Sequence, residues 1–136
     1  MQEMPSEEIV RLSVELLKSK RGRDILTMDL RELSDVADHF VVCTGDSEVQ
    51  IRALADAVVE GMEALGHRPW HVEGYEARRW VLIDFVDVVV HIFEEETRQF
   101  YALEHLWGDA PIERFEEEGQ EEGQEEVPKL VVVRTE

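Results

Sequence analysis

Between Trp80 and Trp107 the spacing of apolar residues changes from two to 3.6. That change constrains the fold more than any other feature, because it requires a strand pair to run straight into an amphipathic helix. Trp80–Asp84 and Val88–Phe93 are short, rich in β-branched side chains and bounded by charge, the pattern of paired strands. Taking Phe85 and Val86 as a two-residue loop sets Asp84 against Asp87, Leu82 against Val89 and Trp80 against His91. Val81, Ile83, Val88, Val90 and Ile92 then share an apolar face, the expected core side. The Trp80/His91 face is mixed, so it is either roofed by a helix or kept for recognition. The loop is unusual. Tight hairpins favour Gly, Asn or Asp where φ is positive, and Phe-Val offers neither. Either the loop is longer than two residues or strain is tolerated there.

The helical part spans about Glu95 to Trp107, where Phe100, Leu103, Leu106 and Trp107 cluster on one side at 100° per residue. Tyr101 falls on the opposite flank among Thr97, Arg98, Glu104 and His105. Gly108 and Pro111 supply the stop. With core positions assigned, Trp80 and Tyr101 remain as large aromatics without an interior place. Surfaces that keep such residues usually keep them for a partner.

The rest of the chain fits one α/β domain with a mixed sheet flanked by helices. Ser6 is an N-cap candidate for a first helix carrying Ile9, Leu12, Leu16 and Leu17, which ends before Gly22. Asp24–Leu30 alternates as a strand, and His39–Thr44 reads as a second, more buried one. Asp46 or Ser47 caps a long helix with Ile51, Leu54, Ala55, Val58, Met62 and Leu65 on one face, closed by Gly66. Pro69–Glu73 is a short strand. The domain is expected over residues 1–112 and an acidic, low-complexity tail over 113–136. In that tail Glu117-Glu-Gly-Gln120 repeats as Glu121-Glu-Gly-Gln124, too polar to build a core, and Leu130–Val133 forms a short apolar island with weak strand character.

Charge narrows the partners. Fourteen Lys and Arg against 32 Asp and Glu give −18 over 136 residues. The tail contributes −6 of this, so the body is itself strongly acidic. Such a surface repels phosphate backbones, and direct nucleic-acid binding is not expected as the main source of affinity. A basic protein is the natural target, with attraction that weakens as salt rises. No apolar run reaches the ~20 residues of a membrane span, and the N-terminus lacks the pattern of a signal or transit peptide. The lone Cys43 sits in the apolar run from Phe40 and reads as a buried structural thiol. A cytoplasmic location follows as the expectation.

Catalytic patterns are thin. Gly45-Asp46-Ser47 stands between a strand and a helix, yet it lacks the glycine spacing and lysine of a phosphate loop, and helix capping explains it. Asp84 and Asp87 could hold a divalent cation in a metal-dependent nucleotidyltransferase-like site, the alternative to a binding role. His39, His67, His71, His91 and His105 show no metal-ligand interval. Neither an enzyme nor a cofactor is expected.

Three blocks in this order carry a family resemblance: Ser34–Ser47 (SDVADHFVVCTGDS), Val72-Glu-Gly74, and Trp80–Asp84 through Asp87–Phe93 to Arg98–Ala110 (RQFYALEHLWGDA). Together they resemble the ribosomal silencing factor family, also called Iojap-like proteins, from about Ile9 to Ala110. The resemblance implies a fold related to nucleotidyltransferases without their active site, often as a homodimer. It also implies binding of the large ribosomal subunit through ribosomal protein number fourteen, a basic protein, which blocks joining of the small subunit and lowers translation under nutrient limitation. The partner-facing set expected on these grounds is Trp80, Asp84, His91, Arg98, Tyr101 and Glu104. The chain departs from the family pattern at Val86, where Gly is usual, at His39, where Tyr is usual, and at Ala102, where Asp is usual.

Overall fold

The computed structural model describes residues 4–115 and the backbone of 132–135. The elements run α1 (Ser6–Ser19), β1 (Arg23–Asp29), β2 (His39–Gly45), α2 (Glu48–Ala64), β3 (His71–Glu73), β4 (Trp80–Asp84), β5 (Val88–Glu94), α3 (Glu95–Tyr101), α4 (Leu103–Leu106), β6 (Ile112–Phe115) and β7 (Val132–Thr135). The strands form one mixed sheet in the order β3-β4-β5-β2-β1-β6-β7. Among the described strands only β2 and β5 pair in parallel, joined through α2 and the β3–β4 hairpin. The sheet therefore takes in residues on both sides of the composition break at 112, and the island at Leu130–Val133 overlaps β7 by two residues, its first half lying outside the described residues.

α1 and α2 lie on one sheet face. Ile51, Leu54, Ala55, Val58 and Met62 are all buried, as their helical spacing requires, and meet Val81, Ile83, Val88, Val90 and Ile92. Leu65 falls just past the last turn and is exposed. Ser47 caps α2, its hydroxyl accepting the Gln50 N–H at 3.1 Å. Ser6 does not cap α1: Pro5 holds that position, its carbonyl taking the Glu8 and Ile9 amides, and Ser6 is already helical. Cys43 is fully buried, and burial pushes its thiol up to about 12, consistent with an inert structural role.

The opposite face is covered more thinly. Leu26, Met28, Val42 and Phe93 pack under Leu103, Ala110 and Ile112, with Phe40, Trp80 and Trp107 partly buried around them. This thin cover positions the surface described next.

Candidate partner-binding surface

The β4–β5 register differs from the two-residue-loop expectation by two residues. Trp80 pairs with Phe93, Leu82 with His91 and Asp84 with Val89, which leaves Val86 and Asp87 as the turn. Val86 takes φ 77°, the Asp84 Oδ1 accepts its N–H at 2.7 Å, and the Asp87 N–H returns to the Phe85 carbonyl at 3.0 Å. A β-branched residue at positive φ costs about 1–2 kcal/mol. The shifted register buries Phe85 against the α1/α2 core, worth about 2–3 kcal/mol. Burial wins, and strain is the answer at this turn.

With that register Trp80, Leu82 and Asp84 point to the thinly covered face, half-buried, while Val81, Ile83 and Phe85 point to the helices. The Trp80 indole lies 4.9 Å from the Phe93 ring and 4.6 Å from Tyr101, centroid to centroid. Its Nε1–H donates to His91 Nδ1 at 3.0 Å, on a diagonal between the two strands. His91 is 4% exposed, wedged against Phe40 at 4.5 Å and near Phe93. Burial alone pushes its pKa down to about 3, so the ring is neutral and Nδ1 is free to accept. Its Nε2 is buried and has no hydrogen-bond partner among the described residues. The loop into β4 is set by Gly74 at φ 79°, where any Cβ would overlap the Trp80 carbonyl oxygen.

The expected single helix from Glu95 to Trp107 is broken. Ala102 adopts φ 46°, ψ 60°, ending α3 and starting α4. One 100° reckoning across the whole segment therefore fails: Phe100, assigned to the core, is 80% exposed, and Leu106 is exposed as well, while Leu103 is buried and Trp107 half-buried. Tyr101 is 47% exposed, with Phe100 edge-on to it at 5.0 Å. Trp80, Tyr101 and Phe100 thus form one continuous aromatic surface.

Arg98 and His91, both expected at the contact surface, lie beneath it. Arg98 is 7% exposed; its Nη1 donates to the Asp24 carbonyl at 2.7 Å and to Thr44 Oγ1 at 2.8 Å, and its Nη2 reaches Glu104 at 3.5 Å. A buried guanidinium needs such acceptors, and here they clamp the joint between α3 and α4 to β1 and β2. Asp24 itself sits at φ 51°, in the irregular stretch of β1. Glu104 is half-buried beneath the joint, and Asp84 shares the Trp80 face about 13 Å along β4. Glu73, opposite Leu82, adds an exposed carboxylate bound to His71 at 2.6 Å. Among the described residues no group of three or more His, Cys, Asp or Glu could hold a metal ion, so Asp84 and Asp87 are not joined by a third ligand. Phe100 is the surface residue that sequence reasoning missed, because helical counting grouped it with Leu103 across a break that Ala102 does not announce.

The profile of the family described as "Ribosomal silencing factor during starvation" matches residues 3–132. Ribosomal silencing factor RsfS of Bacillus subtilis is 39% identical over 80% of this chain and 92% of its own length. A crystal structure of a Chromobacterium violaceum protein superimposes with a TM-score of 0.75 at 38% identity, covering 77% of this chain and 88% of that one. The mouse protein named "Mitochondrial assembly of ribosomal large subunit protein 1" is 33% identical over 69% of this chain and 42% of its own length. By the extent of these matches, this chain belongs to the ribosomal silencing factor family.

Proposed function

We propose that this chain binds the large ribosomal subunit through the basic ribosomal protein number fourteen and blocks joining of the small subunit, so lowering translation when nutrients are limiting. The action is steric: the domain's bulk occupies space that the small subunit needs. What supports the reading is family membership together with an aromatic surface of Trp80, Tyr101 and Phe100 on a body that is strongly acidic. Aromatic anchors suit a protein partner. The acidic body attracts a cationic one and repels bare RNA. Asp84 and Glu73 are the carboxylates on this face that meet Lys or Arg of the partner.

The carrying observation is Tyr101, a large aromatic left half in solvent beside Trp80. Tyr101→Ala removes contact surface with little loss of core, whereas Trp80 also packs on Phe93. Sucrose-gradient sedimentation with purified large and small subunits tests the reading. Wild-type protein is expected to travel with large subunits and to prevent their joining; Tyr101→Ala is expected to bind at least tenfold more weakly, the scale of an interface anchor of ~2 kcal/mol. Association is also expected to weaken with added salt. Undiminished binding by a folded Tyr101→Ala protein would remove this surface from the interface.

A further inference from the structure

We infer that His91 is a positioning residue for the partner surface: its Nδ1 holds the Trp80 indole by the N–H and fixes the ring that the partner meets. This rests on the reading above, and it assigns His91 a role without any contact to the partner.

Three observations carry it. The first is the hydrogen bond itself, 3.0 Å from Trp80 Nε1 to His91 Nδ1, made beneath the surface between neighbouring strands. The second is the cost of placing a histidine there. The ring is buried among Phe40, Phe93 and Trp80, and its Nε2 has no hydrogen-bond partner among the described residues. A phenylalanine would pack in the same aromatic setting and remove the unpartnered Nε2, but it would leave the Trp80 N–H without its acceptor, so what histidine supplies here is the bond to the indole. The third is what the bond leaves outside. With the N–H turned inward and satisfied, the indole is pinned between Phe93 and Tyr101, and one ring orientation is selected before any partner arrives. A contact that is already ordered loses less entropy on binding than one that must be ordered by the partner.

The experiment compares full-length wild type with His91→Phe, His91→Leu, His91→Asn and Trp80→Ala. The Phe and Leu variants lack the acceptor, and the Leu variant keeps the set informative if the bulkier Phe does not fold. The Asn variant returns an oxygen acceptor at the branch position of Nδ1. Two quantities are read on each protein confirmed as folded by circular dichroism: affinity for purified large subunits, and hydrogen exchange of the Trp80 indole N–H by NMR. The expected result is about fivefold weaker binding and faster exchange in the acceptor-free variants, with both recovered in His91→Asn. Wild-type affinity in the acceptor-free variants alongside weakened Trp80→Ala overturns the positioning role and leaves the surface reading standing. Failure of His91→Asn to recover binding also overturns it, because the loss then belongs to packing. Undiminished binding by Trp80→Ala sinks the surface reading and this role with it.

Discussion

Replacing His91 with Phe should flatten a specific part of the protein's acid sensitivity. Unfolded, a histidine titrates near 6.5; folded, burial holds His91 at about 3, and desolvation is the cause. Between those values the unfolded chain binds the extra proton and the folded one does not. Stability from this site is therefore complete above pH 6.5 and is lost progressively as pH falls towards 3. Integrated from pH 7 to pH 5, the loss is about 2 kcal/mol. Other groups move over the same range. His39 is also held below its ordinary value by burial, while Asp29, held at about 2 chiefly by Arg31, begins to matter only at lower pH. Both remain in the variant, so the wild-type-minus-variant difference isolates His91. Urea denaturation at pH 7 and pH 5, followed by far-ultraviolet circular dichroism at one protein concentration, measures it. Whatever the variant does to stability at pH 7, its drop on acidification should be smaller than the wild type's by about 2 kcal/mol. Equal drops, within 0.5 kcal/mol or so of each other, would mean that His91 is not held neutral, and the tautomer argument for Trp80 would fall too.

Three backbone predictions follow from positive φ angles. Val86→Gly should stabilise the domain by up to about 1 kcal/mol, since relief of strain at φ 77° exceeds the added entropy of the unfolded chain; thermal denaturation showing a loss would refute the strained-turn account. Ala102→Asn should stabilise by about 0.5–1 kcal/mol, because Asn tolerates the left-handed region and offers α4 a capping side chain that Ala102 lacks, as read from urea midpoints. Gly74→Ala should cost on the order of 3 kcal/mol, combining a disfavoured φ with overlap on the Trp80 carbonyl; a change below 1 kcal/mol in the same assay would contradict the tight β3–β4 corner.

How much of this was readable from the residues depended on whether the backbone announced itself. α2 was readable up to Leu65, because Ser47 caps it, its apolar residues recur on one face and Gly66 follows its end at φ 86°. β4 and β5 were readable as strands from their β-branched runs, but their register was not. Register is set by the turn, and Val86 gives no hint that it occupies a conformation usually left to Gly. The break in the last helix was hidden for the same reason, since alanine is the strongest helix former and Ala102 sits where the chain leaves the helical region. For the surface, Trp80 and Tyr101 could be set aside from amphipathic counting alone. The burial of His91 and Arg98 could not, because their partners Trp80, Asp24 and Thr44 come from other strands.

The break at Ala102 is where stability and surface part company. A helix continuing through Ala102 would keep its hydrogen bonds and avoid a left-handed alanine, a saving of about 1–2 kcal/mol. Instead the chain turns, Leu103 enters the second core, and Arg98 ties the joint to the Asp24 carbonyl and Thr44. Phe100 and Tyr101 end up outward, and leaving a phenylalanine 80% exposed forgoes about 2 kcal/mol of burial. Among the described residues nothing buries Phe100. The same economy holds at His91, an imidazole in an aromatic core whose Nε2 has no hydrogen-bond partner among the described residues. Two local choices that each weaken the isolated domain converge on one continuous patch, Trp80, Tyr101 and Phe100. Sites that carry local strain are where function is most often found. The missing burial is what a partner docking over this patch would restore.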